Sequence, residues 1–172
     1  PCRWPDLPDR YDRALREAVD FILERFSPVG IIACGSILRG TPDASSDLDI
    51  YVIHKAPFRR RLQRYVHGVP AEIFVNPPAA IEGYLAEEQA ARQPITAHML
   101  ATGFVVLSTD PVVEVLQAKA RALLADPPAA PEDPTMLRYL TANLYEDAAD
   151  VADRDPATAR MILARAVTEM VH

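Results

Sequence analysis

Asp47 and Asp49 stand two residues apart at the start of Asp47-Leu48-Asp49-Ile50-Tyr51-Val52-Ile53, a run whose β-branched and aromatic content reads as a strand. On a strand, residues i and i+2 share a face, so both carboxylates can converge on one hard cation, and aligned carboxylate oxygens suit magnesium. Without a cation, two such charges each raise the other's pKa. A third acid, Glu72, interrupts the apolar run Ala71-Glu72-Ile73-Phe74-Val75. If that strand neighbours the first, three carboxylates gather, which fits two cations about 3.5–4 Å apart clamping the attacking and leaving oxygens of an in-line displacement. Asp49 would bridge the ions. Glu72 would complete the second ion's site or accept the proton of an attacking hydroxyl.

Upstream, Gly35-Ser36 follows the apolar run Val29–Ala33 and precedes a segment that reads as a short helix. Backbone N–H groups at such a start can face a phosphate, the Ser36 hydroxyl adds a donor, and a residue without a side chain lets the phosphate approach. Arg39, one turn later, can meet a β- or γ-phosphate with its forked guanidinium, and Ser46 can add a further hydroxyl. Each piece alone is common; their order along the chain carries the information.

The elements that must position these residues follow from periodicity. Tyr11, Leu15, Ala18, Val19, Ile22 and Phe26 recur at three- and four-residue spacing, predicting a helix over Asp9–Phe26 that Ser27-Pro28 ends. Val29–Ala33, Leu48–His54 and Ala71–Val75 are expected as strands of one sheet, with Leu48, Ile50 and Val52 facing one way and Asp47, Asp49, Tyr51 and Ile53 the other. Phe58–Val66 reads as a basic, partly helical segment leading to Gly68. Ala79–Arg92, Ile95–Gly103 and Pro111–Leu124 read as helices, with Phe104–Leu107 a strand or extended segment between the last two. Four prolines in Asp126–Pro134 mark a stiff linker. The expected division is therefore a catalytic domain over 1–125, a linker over 126–134 and a helical part over 135–172. In the last, Thr135–Asp153 and Ala157–Val171 carry the stripes Leu137, Leu140, Leu144, Ala148 and Ile162, Ala166, Met170. Two helices are half a bundle, expected to pack on the first domain, on another subunit as in a homodimer, or on residues beyond His172, since either end is open to having been trimmed.

Strand, Gly-Ser, short helix with arginine, Asp-x-Asp opening the next strand and an acid in a third resembles the DNA polymerase β-like nucleotidyltransferase superfamily. The signature is carried by Gly35-Ser36-Ile37-Leu38-Arg39-Gly40-Thr41-Pro42-Asp43-Ala44-Ser45-Ser46-Asp47-Leu48-Asp49-Ile50. Within that superfamily the chain is similar to the branch holding the aminoglycoside (kanamycin-type) and minimal nucleotidyltransferases. The likeness covers residues 29–76 and extends more loosely over the following helices. It implies an α/β (α+β) nucleotidyltransferase fold, a small mixed sheet flanked by helices and followed by a helical C-terminal domain. It implies Asp47 and Asp49 as Mg²⁺ ligands, Gly35, Ser36 and Arg39 as triphosphate contacts, and Glu72 as the third carboxylate, a position the family often gives to aspartate. The implied reaction moves a nucleoside monophosphate, AMP from ATP first of all, to a hydroxyl of a small molecule such as an aminoglycoside, releasing pyrophosphate. The alternative is an antitoxin-like or regulatory partner that binds or AMPylates a helical protein. Glu146 is a candidate acceptor-side base by position only, and a solvated helix face is the better reading.

Composition narrows the rest. At 172 residues with 49% hydrophobic and 24% charged residues, the chain is an ordinary globular one. Its net charge of −6 argues against a long nucleic acid as substrate, and Arg59, Arg60, Arg61 and Arg64, a basic cluster, read as a solvated face. Cys2 and Cys34 make neither a zinc site nor a disulfide framework, and His54, His67, His98 and His172 lie at no ligand-like spacing, which disfavours a zinc hydrolase. No Gly-x-Ser-x-Gly frame surrounds Ser36, so a nucleophilic serine is disfavoured. With no membrane-length apolar stretch and no signal-like amino terminus, the default expectation is a cytoplasmic protein.

Overall fold

The computed structural model describes residues 1–43, 46–126 and 135–171. It divides into two compact units, Pro1–Pro127 and Pro128–His172.

The first unit opens with helix α1, Asp9–Phe26, at the bounds its periodicity predicts, and Leu15, Ala18, Val19, Ile22 and Phe26 form its buried stripe. Ser27, in the left-handed region at φ 43°, ends it before Pro28. Strands β1 (Gly30–Cys34), β2 (Leu48–Ile53), β3 (Arg60–Val66), β4 (Val69–Asn76) and β5 (Phe104–Ser108) form one sheet in the order β3-β4-β2-β1-β5. The sheet is mixed: β2 and β4 run parallel, and the other neighbouring pairs are antiparallel. Helices α2 (Pro78–Ala90), α3 (Ile95–Thr102) and α4 (Val112–Ala125) complete the unit.

Two cores sandwich the sheet. Leu48, Ile50 and Val52 of β2 and Ile73 and Val75 of β4 pack with α1 on one face. Tyr51 and Ile53 pack with Ile81, Leu85, Leu100 and Leu116 of α2 to α4 on the other. Full burial of an isoleucine or leucine contributes roughly 1.5–3 kcal/mol, so the strand that carries the acids is fixed from both sides. The alternation along β2 is the one its sequence predicts.

The segment Phe58–Val66 departs from expectation: from Arg60 on it is strand β3, not partly helical. Arginine and glutamine favour helices slightly, but a two-residue loop overrides that preference. His67 and Gly68 both have positive φ, 48° and 71°, and Val66 pairs with Val69, the geometry of a tight hairpin whose twist matches its strands. β3 is an edge strand, whereas at the opposite edge the Arg3 N–H donates to the Val106 carbonyl at 2.8 Å. Phe104–Leu107 joins the sheet as the greater part of β5.

The second unit contains α5 (Thr135–Val151) and α6 (Pro156–Val171). Asp155 caps α6, accepting from the Thr158 N–H at 3.1 Å and the Thr158 hydroxyl at 2.7 Å. Ala148, Ala159 and Ala166 are buried, while Leu140 of the predicted stripe is 45% exposed and so is not core. Positions 127–134 of the expected linker, the terminal His172 and the Met170 side chain of the stripe lie outside the described residues.

Candidate active site

Asp49 is the second residue of β2 and Glu72 the fourth of β4, and the parallel register pairs them directly. Asp47 immediately precedes β2. Each of the three half-buried residues offers a carboxylate oxygen, and these oxygens lie within 4.8 Å of one another; among the described residues they are the one group of three or more His, Cys, Asp or Glu able to share a metal ion. The geometry arises because i and i+2 share a face and a parallel neighbour in register brings its own residue alongside.

The electrostatic load of this cluster falls on Asp49. Burial first, then the charges of Asp47 and Glu72, push its pKa up to about 6, against the opposing pull of Arg39 and Arg61. Glu72 moves the other way: a hydrogen bond from the Arg61 guanidinium holds it below the ordinary carboxylate range, with Gln63 assisting through a 3.2 Å bond. Arg61 Nε donates to Glu72 Oε1, and the guanidinium lies 5.2 Å over the Phe74 ring.

Gly35 leaves β1 at φ 89°, and a Cβ there would stand 2.6 Å from Asp49 Oδ2, so the backbone at this point is in contact with the carboxylate. The neighbouring Cys34 thiol donates to the Asp49 carbonyl at 3.4 Å, and burial pushes its pKa up, which makes it an inert core thiol.

Ser36–Gly40 is a turn where the sequence suggests a short helix. One helical-type bond, from the Arg39 N–H to the Gly35 carbonyl at 3.3 Å, is followed by closure from the Thr41 N–H to the Ser36 carbonyl at 3.1 Å. Gly40 at φ 75°, with Pro42 soon after, stops propagation. The Ser36 hydroxyl donates to Ser46 Oγ at 3.0 Å; Ser46 Oγ also accepts from the Asp43 N–H at 2.8 Å and donates to Asp43 Oδ1 at 3.1 Å. Ser46 therefore links Ser36 to Asp43. Arg39 is exposed on this turn and contributes its positive charge at Asp49.

Arg61 and Gln63 also reach the site, although the basic segment that holds them reads as a solvated face in the sequence. The hairpin turning at His67-Gly68 sets Gln63 opposite Glu72, a long-range pairing that residue preferences along 58–66 do not contain. Glu146 is exposed on α5, in the other compact unit. His54 is buried, its Nε2 3.0 Å from the Phe58 carbonyl, and His67 pairs with Glu17 at 2.9 Å.

Residues 15–95 match a protein-family model described as a nucleotidyltransferase domain, a range that takes in Gly35, Ser36, Arg39, Asp47, Asp49 and Glu72. The match supports a transferase; it names no branch and no acceptor. No curated protein matches the chain. Among solved structures, a nucleotidyltransferase-like protein from Exiguobacterium sibiricum 255-15 is 12% identical with a TM-score of 0.47, over 91% of this chain and 53% of that one. The chain thus spans about half the length of that protein.

Proposed function

We propose that this protein transfers a nucleoside monophosphate, AMP from ATP in the first instance, to a hydroxyl of a small acceptor in a magnesium-dependent reaction that releases pyrophosphate. The observation that carries the reading is the convergence of Asp47, Asp49 and Glu72 beside the Gly35-Ser36 turn.

The residues fit a divalent cation on their own chemistry. Three hard oxygen donors of like charge meet in a half-buried site, and burial first, then the charges of Asp47 and Glu72, raises the pKa of Asp49, a cost that a cation would relieve. Asp47, Asp49 and Glu72 would hold the cation, one or two ions in number. When bound, it supplies charge neutralisation for the triphosphate and for the oxygens that attack and leave.

The remaining work belongs to the chain. Ser36 and the N–H groups of its turn bind phosphate oxygens, Gly35 keeps the approach to Asp49 open, and Arg39 adds a forked cation on the same side. Ser46 acts behind them by holding the Ser36 hydroxyl. The acceptor oxygen bonds to the α-phosphorus as the bond to the β-phosphate bridging oxygen breaks. Pyrophosphate departs with that electron pair, and the acceptor proton passes to the carboxylate cluster and then to water. Glu72, held ionised by Arg61, is better suited to holding a cation than to taking this proton.

The test is a pair of labels. With magnesium and a panel of hydroxylated small molecules, label at the α-phosphate of ATP should move to an acceptor while label at the γ-phosphate ends in pyrophosphate. Transfer of the γ-label instead would make the protein a kinase and overturn the proposal.

A further inference from the structure

β3 adds a feature that the carboxylates and the phosphate turn leave unused. Along it Arg61, Gln63 and Tyr65 share one face, that of Glu72 and Phe74, while Leu62 and Val66 pack with the α1 core on the other. Arg61 and Gln63 both donate to Glu72. The Arg61 side chain is 66% exposed, and the terminal nitrogens of its guanidinium make no hydrogen bond to a described residue. Tyr65, one step beyond Gln63 on that face, is 79% exposed. From Ala56 to Ala71 the chain has four arginines and no acidic residue, against a net charge of −6 overall.

Strand order gives this face its place. Across β1, β2, β4 and β3 lie, in turn, Gly35 just past the end of β1, Asp49, Glu72 and then Gln63 with Arg61. If the nucleoside triphosphate is anchored at the Gly35-Ser36 turn and reacts at the carboxylates, the exposed β3 face adjoins the carboxylates on the side away from that turn. We infer that the acceptor is a small hydroxylated molecule carrying a phosphate group, seated on β3 with the phosphate on Arg61 and its body against Gln63 and Tyr65. This rests on the nucleotidyl-transfer reading and specifies its second substrate. A guanidinium fork with free terminal donors matches phosphate oxygens in pairs, and an exposed ring and an amide beside it offer stacking and hydrogen bonds. The same fork offers a polycation such as an aminoglycoside no acceptor, whereas a phosphate meets two donors.

Ribose 5-phosphate, ribose and kanamycin serve as probes for the full chain. With α-labelled ATP and magnesium, label should move to ribose 5-phosphate well ahead of ribose and kanamycin. Arg61→Ala should lower the preference for ribose 5-phosphate over ribose by about ten- to hundredfold, the worth of a charge-assisted hydrogen bond, without raising the KM for ATP. Arg60→Ala, a change on the opposite face of β3, should leave the preference where it was. Equilibrium binding of ribose 5-phosphate, weakened by Arg61→Ala and untouched by Arg60→Ala, provides a readout independent of turnover. Transfer that prefers kanamycin, or that treats ribose and its phosphate alike, overturns the inference and leaves nucleotidyl transfer standing. Arg61-dependent binding of ribose 5-phosphate with no transfer to any probe upholds the anionic site and counts against the transferase reading. An Arg61→Ala effect confined to the KM for ATP also overturns the inference, because it moves Arg61 to the nucleotide side.

Discussion

Gly35 and Asp49 are in contact at the point where β1 ends and β2 begins: a Cβ on residue 35 would come within 2.6 Å of Asp49 Oδ2. A backbone φ of 89° there already excludes most side chains, so conformation and space demand the same residue. Gly35→Ala should therefore cost about 1–3 kcal/mol in urea unfolding, from left-handed strain plus displacement of the carboxylate. Turnover should fall more than stability explains, because Asp49 has to move. Unchanged stability and turnover in the variant would show that the contact imposes nothing.

Asp49 also predicts a pH dependence. Its folded pKa of about 6 lies above the ordinary 3.8, so the native state binds this proton more tightly than the unfolded chain does. The ionised group then destabilises the fold: the penalty is absent below pH 3.8, grows towards pH 6 and is fully present above it. With divalent cations removed, Asp49→Asn should gain about 1–2 kcal/mol at pH 7.5, discounted for solvent screening, and almost nothing at pH 4. Urea titrations at the two values decide it, and a gain equal at both would refute the electrostatic cause. Added magnesium should raise the melting temperature of the parent chain and not that of the variant.

Ser46 bonds to Ser36 and to Asp43, and so holds the hydroxyl that is proposed to meet phosphate. Ser46→Ala should weaken ATP binding in magnesium about three- to tenfold, the worth of one or two neutral hydrogen bonds, with kcat affected less. Ser36→Ala should do at least as much. Calorimetric titration of both variants checks this, and a silent Ser46→Ala beside a damaging Ser36→Ala would remove Ser46 from the positioning role.

Arg39 is exposed, and its positive charge pulls the Asp49 pKa down. Arg39→Ala should weaken ATP affinity about ten- to hundredfold as a charge-assisted contact is lost. In the absence of metal it should also move the Asp49 titration to still higher pH. NMR titration of the Asp49 carboxyl resolves the second effect, and a downward move would contradict the assigned proximity.

Much of this arrangement is legible in the sequence because it depends on local pattern. α1 follows from three- and four-residue spacing, and the sidedness of β2 from alternation, which sends Leu48, Ile50 and Val52 into one core and leaves Asp49 on the other face. β3 is not legible in the same way. Its residues favour helix weakly, and only the pairing of Val66 with Val69 across His67-Gly68 makes it a strand, a long-range gain that single-residue preference does not contain. Without β3 as a strand, nothing in the sequence brings Arg61 to Glu72, and the four arginines read as solvated surface. The turn after Ser36 differs from the expected short helix for a smaller reason: the left-handed Gly40 closes it before a second helical turn can form.

One cation site of Asp47, Asp49 and Glu72 that drives nucleotidyl transfer has a simple readout: pyrophosphate release from ATP in the presence of the hydroxylated acceptors, with and without magnesium, in the parent chain and in Asp49→Asn at pH 7.5. Magnesium-dependent release by the parent chain, reduced at least a hundredfold, about 2.7 kcal/mol of barrier, in a variant that remains folded, is the predicted result. Release that persists in Asp49→Asn, or that ignores magnesium, would contradict it.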